Sequence, residues 1–239
     1  MRRHLPLLAV IVTLAAALPA TACGTSAGKE TSQVNVFLDN EVTADQRAAI
    51  DQQLRGMPTV RNVTFTSKQQ AYEDFKKQFK DSPGLVAATR PDSLPESFTA
   101  TVDSGFAEVI QAVLASGSGV DWVGLTLPSG TRPRSRVGLI LELRPGITAD
   151  DRTAVEAAIR RLPDAKPARF ESADAARTRL KARCRGERAL AAALDRASPF
   201  ASYRFTFTVT ARSWGSSEYV ALSRLPGVAD MTPVPAALL

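Results

Sequence analysis

Thr43–Pro58 reads TADQRAAIDQQLRGMP, and Thr148–Pro163 reads TADDRTAVEAAIRRLP. The second stretch lies 105 residues after the first, and the two decide the fold because they align without a gap. Ile50, Leu54 and Met57 fall on Val155, Ile159 and Leu162, an i, i+4, i+7 spacing that puts one apolar face on a helix. Pro58 and Pro163 end the two helices. Upstream, Val34, Val36 and Leu38 match Leu139, Leu141 and Leu143, whose period of two predicts strands. Downstream, Phe65 matches Phe170, and Ser67 matches Ser172 as the cap of a following helix. The chain therefore reads as a tandem duplication.

Working outward, copy one predicts strands near Gln33–Asp39, Arg61–Thr66, Ser97–Val102 and Val120–Thr126, with helices near Ala44–Arg55, Lys68–Phe79 and Gly105–Ala115. Copy two predicts Arg136–Leu143, Ala149–Arg161, Ala168–Glu171, Ala173–Arg183, Glu187–Arg196, Ser202–Val209, Ser216–Arg224 and a last strand near Val228–Thr232. The fold class expected is α+β, as two tandem ferredoxin-like βαββαβ modules. Each has a four-stranded antiparallel sheet, helices on one face and a helical insertion between its second and third strands. The boundaries expected are a signal peptide at 1–22, a flexible tether at 23–32, modules at 33–127 and 137–239, and a linker at 128–136.

Composition narrows the function. An apolar fraction of 44% with 23% charged residues fits a folded body. Arg2, Arg3 and the uncharged run Leu5–Leu18 make an export signal too short to span a bilayer. Ala20-Thr21-Ala22-Cys23 resembles a lipobox, with Cys23 as the lipidated residue; the same triplet also satisfies an ordinary A-x-A cleavage, which leaves plain secretion open. The single histidine, His4, lies in the leader, so His-dependent nucleophiles and metal sites are not expected in the mature chain. Cys184 reads as a small buried helix residue. No metal, cofactor or catalytic residue is expected, and Asp150-Asp151 and Glu73-Asp74 read as helix-end and surface acids.

Val34-Asn35-Val36-Phe37-Leu38, Thr43–Pro58, the Ser67-Lys68 helix start with Ala71, Phe75 and Phe79, Leu94-Pro95-Glu96-Ser97-Phe98 and Val120–Val123 occur in an order that resembles the extracellular domain of FtsX, the permease-like bacterial cell-division protein. In copy two Phe200-Ala201-Ser202-Tyr203 replaces the Leu-Pro-Glu-Ser-Phe run. The resemblance implies an outward-facing recognition domain that docks peptidoglycan hydrolases or coiled-coil adaptors. It is expected here in duplicate at the outer face of the cytoplasmic membrane, without the transmembrane helices that couple a family member to its ATPase.

Tyr72, Phe75 and Phe79, with Leu85 and Val86 just beyond, are the partner-contact candidates on an insert that projects from the sheet; the other reading is that they close the insert on itself. Residues 31–127 hold 8 basic and 12 acidic side chains, a net of −4, while 130–239 hold 19 and 11, a net of +8. Arg177, Arg179, Lys181, Arg183, Arg185 and Arg188 make the second insert basic. They are candidates for contact with anionic lipid or wall polymer, or a solvated face, and export argues against nucleic acid. Two further readings stay open: a ligand- or anionic-polymer-binding envelope lipoprotein unconnected with division, and a pairing of the acidic and basic halves with each other.

Overall fold

The computed structural model describes residues 31–126, 136–162, 165, 167–208 and 217–239. The leader, Cys23, the tether up to residue 30, the linker up to residue 135, Pro163, Val209 and Ser216 lie outside the described residues.

The first module runs β1 (Thr31–Leu38), α1 (Ala44–Gly56), β2 (Val60–Thr66), α2 (Lys68–Gln78), α3 (Pro83–Ala88), β3 (Ser97–Asp103), α4 (Ala107–Leu114) and β4 (Val120–Thr126). The second runs β5 (Arg136–Leu143), α5 (Ala149–Arg161), β6 (Arg169–Glu171), α6 (Ala173–Arg183), α7 (Arg188–Arg196), β7 (Ser202–Thr208), α8 (Ser217–Ser223) and β8 (Val228–Pro235). Their antiparallel sheets are ordered β2-β3-β1-β4 and β6-β7-β5-β8, the same arrangement twice. Even the irregularity repeats: the register shifts between Phe37 and Leu38 against β4, and between Glu142 and Leu143 against β8. The first strand begins at Thr31, inside the stretch assigned to the tether, because Ser32 is buried and its hydroxyl meets that of Ser104 at 2.8 Å.

Helix starts follow local chemistry. Thr43 accepts from the Gln46 amide while the Gln46 side chain accepts from the Thr43 amide, a closed capping box. Thr148, Ser67 and Ser172 each accept from the amide three residues on. Ile50, Leu54 and Met57 are buried on the first sheet, and Val155, Ile159 and Leu162 on the second.

The sheets differ in how many faces they bury. β1 alternates, with Val34, Val36 and Leu38 inside. β5 is buried at Val137, Leu139, Leu141 and Leu143 on the α5/α8 face, and also at Ile140 on the opposite face. Ile140 and Val234 belong to the first module's core, so the first module covers the second sheet's other face. Between them lies α4, with Val109, Ile110, Val113 and Leu114 in the first core and Gln111 donating to the Val123 carbonyl at 3.2 Å and the Thr232 hydroxyl at 2.9 Å.

The second insert does not project. α6 and α7 fold against α4, and Leu180, Cys184, Leu190 and Leu194 enter the first module's core. Each buried leucine stabilises by roughly 1.5–3 kcal/mol, whereas the buried ion pairs beside them lose to desolvation most of what attraction returns. Apolar packing therefore docks the modules.

Candidate functional site

The first insert starts at the Ser67 cap and carries its polar groups on one side: Gln69 donates to Glu73 at 3.0 Å, Gln70 to Asp74 at 3.1 Å, and Lys76 pairs with Glu73 at 2.7 Å. The other side holds Phe75 and Phe79, whose ring centroids lie 4.7 Å apart, and the turn Pro91–Ser93 lies alongside α2. Lys76 sits over the Tyr72 ring at 5.1 Å. Tyr72, Phe75, Phe79 and Val86 are half-buried, Leu85 is 45% exposed, and neither α2 nor α3 has a buried residue. The phenyl rings lean on each other, and each keeps part of its surface exposed.

The basic insert is arranged otherwise than expected. Arg179 and Arg183 do not face outward. Arg179 donates to both Glu171 oxygens, at 2.8 and 2.9 Å, and to Glu108 on α4 at 2.8 Å. Arg204 from β7, its side chain 1% exposed, donates to Glu108 at 2.7 Å, while Arg183 and Arg204 both donate to the Leu238 carbonyl. Arg177 donates to the Leu194 and Ala197 carbonyls, where a cation favours the end of α7, and Lys181 pairs with Asp195. Lys181, Arg185 and Arg188 remain exposed. Desolvation opposes charge on Glu108, but the guanidiniums of Arg179 and Arg204 outweigh it and hold its carboxyl below the usual range. The acidic and basic halves pair inside this chain.

Beside that cluster, Glu142 lines a small cavity of about 30 Å³ together with Glu108 and Gln111. Burial, then the neighbouring Asp230 and Glu108, pushes its carboxyl up to about 8. Asp230, opposite Glu142 in the ladder, accepts from the Trp122 indole at 2.7 Å. Cys184 is buried with a free thiol, and desolvation raises its pKa.

Each module also repeats one aromatic arrangement. Arg47 lies over Phe65 at 5.4 Å, and Phe65 tilts on Phe98 at 5.1 Å; Arg152 lies over Phe170 at 5.5 Å, and Phe170 on Tyr203 at 5.4 Å. Sequence matching paired Phe65 with Phe170 but did not single out the arginines. Glu108, Glu142 and Arg204 were also missed, although each is a lone charge inside an apolar or aromatic stretch (FAEVI, LILEL, YRF).

The family likeness of this chain covers its first module. Residues 31–125 match the FtsX extracellular domain family. The match spans the first module and stops short of the second. Among solved structures, extracellular domain 1 of FtsX from S. pneumoniae, in complex with undecyl-maltoside, aligns at 19% identity with a TM-score of 0.34, covering 38% of this chain and 91% of that one. No curated protein matches. Among the described residues no group of His, Cys, Asp and Glu is placed to hold a metal ion, and no helix is long and apolar enough to cross a membrane.

Proposed function

We propose that this chain is a non-catalytic, lipid-anchored extracytoplasmic protein that binds and regulates a peptidoglycan hydrolase or another cell-division partner through its first insert. One observation supports this reading above the rest: the two inserts are used differently. The second puts Leu180, Leu190 and Leu194 into the neighbouring module, whereas the first leaves Phe75, Phe79 and Val86 half-covered and Leu85 exposed. An apolar face held on a capped helix and left uncovered is the usual form of a protein-docking surface. The match of residues 31–125 to the FtsX extracellular domain family adds the envelope context. The anionic-polymer alternative retains Lys181, Arg185 and Arg188 as exposed members of its six candidates, and Lys181 is paired with Asp195.

Crosslinking in intact cells from a photoreactive residue at position 85, followed by identification of the captured protein, tests the reading. Capture of a wall hydrolase or its adaptor, lost when Phe75 and Phe79 become alanine, supports it. Crosslinks confined to lipid or wall polymer overturn it.

A further inference from the structure

The two modules part company at one position of otherwise repeated geometry. In the first, Arg47 donates through Nη1 to both oxygens of Glu96, at 2.9 and 2.7 Å, while lying over Phe65. The Glu96 side chain is only 13% exposed, so the carboxylate fills the space between the start of α1 and the entry to β3. The backbone there is anchored by Leu38 donating to the Glu96 carbonyl at 2.9 Å. In the second module Leu143 donates to the Ala201 carbonyl at 2.8 Å, so Ala201 occupies the position of Glu96 on the same chain path.

With the carboxylate gone, an open cleft of about 290 Å³ remains, lined by Arg152, Phe170, Leu143, Ile147, Thr148 and Ala201. Arg152 keeps its place over Phe170, but its ion pair is with Glu156 at 3.9 Å, the outer limit of such contact. Glu156 itself accepts from the Tyr203 hydroxyl, and the other nearby acid, Asp151, accepts from the Thr148 hydroxyl at 2.8 Å. Neither acid lines the cleft.

We infer that this cleft in the second module is a binding site for a carboxylate on a short aliphatic stem, the glutamate side chain of an extended partner peptide. The carboxylate takes the place that Glu96 holds in the first module. Arg152 supplies the charged donor, Phe170 the flat face beneath it, and Leu143 and Ile147 the apolar wall for the stem. This site is distinct from the first insert and does not depend on its partner.

The test is titration of the full chain with a capped peptide copying Leu94–Phe98 (LPESF), with the same peptide carrying glutamine for glutamate, and with free N-acetylglutamate, followed by NMR shifts or calorimetry. Binding of LPESF at sub-millimolar to millimolar affinity, weakened at least tenfold by the glutamine peptide, is expected. Weaker binding of N-acetylglutamate than of the peptide supports a protein strand as the source, and binding as tight as the peptide's overturns that assignment. Arg152→Gln should abolish both. Ala201→Glu should close the site from within, abolishing binding and raising the thermal midpoint. Equal binding by the glutamine peptide, undiminished binding in either folded variant, or no binding of any probe overturns the inference.

Discussion

Glu108 on α4 of the first module and Arg204 on β7 of the second meet at 2.7 Å in a place where the arginine side chain is 1% exposed. The contact joins residues 96 apart in the chain, and it unites the acidic half with the basic half. Coulomb attraction alone does not dock the modules, since burying ions offsets most of what pairing returns. The leucines of α6 and α7 supply the adhesion, and the Glu108 carboxylate fixes the relative setting by satisfying guanidiniums that packing has already desolvated.

Removing that carboxylate should therefore cost more than a surface pair would. Glu108→Gln leaves Arg179, Arg183 and Arg204 to share Glu171, and unfolding in urea should register a loss of roughly 3–5 kcal/mol. Adding Arg204→Met to the same chain should recover much of the loss, because no stranded charge then remains at β7. A double variant no better than the single one would show that the pair does not act as a unit.

Glu142 contributes to the pH response, and Asp230 opposite it, whose carboxyl burial also raises, acts in the same direction. The folded value of about 8 for Glu142 stands above the unfolded value of 4.5, so the native state holds a proton that the unfolded chain has released between those limits. Stability is thus full below the unfolded value and falls as pH rises toward the folded one, by an amount on the order of 2–4 kcal/mol. Glu108, held below its usual range, acts the other way and withdraws its contribution only as the solution becomes acidic. Denaturation midpoints measured from pH 4.5 to 9 should decline, and Glu142→Gln should flatten that decline. An unchanged slope in the variant would place the titrating group elsewhere.

Much of this fold was legible in the residues, for physical reasons that also mark where legibility ended. The capping threonines Thr43 and Thr148 and the i, i+4, i+7 apolar positions after them depend only on local geometry, so the sequence carries them openly. The docking of the modules does not. Val137–Leu143 reads VGLILEL, a nearly continuous apolar run where β1 alternates, and that run was the available sign of a strand buried on both faces. Arg179 and Arg183 read as surface cations because a helix face gives no indication of what another module will lay against it. The carboxylates that turn them inward, Glu108 and Glu171, lie 71 and 8 residues from Arg179. The cleft at Arg152 was half legible: Phe200-Ala201-Ser202-Tyr203 in place of Leu-Pro-Glu-Ser-Phe shows the missing glutamate, but only the fold sets that position beside Arg152.

Cys184 should behave as a core residue despite being a free thiol. It is 3% exposed, and burial opposes the thiolate that a reagent would need. Labelling by a maleimide should be slow in the native protein and should accelerate with denaturant in step with unfolding. Fast labelling under native conditions would mean that α6 separates from α4 on its own.

The contrast between the inserts yields the sharpest stability comparison. Leu190 on α7 is 1% exposed within the first module's core, so Leu190→Ala removes a filled volume that its neighbours cannot close, and should cost roughly 2–5 kcal/mol. Phe75 and Phe79 are larger, yet they are only half-buried and lean on each other, so alanine at both should cost less than Leu190→Ala, about 1–2 kcal/mol. The same variant should lose its partner. Thermal melts of the two variants, read beside partner capture, separate adhesion from recognition: Leu190→Ala lowers the midpoint strongly, and the Phe75/Phe79 variant lowers capture strongly. If the double phenylalanine variant instead melts as early as Leu190→Ala, the first insert is a structural closure of its own module and the contact surface must be sought elsewhere.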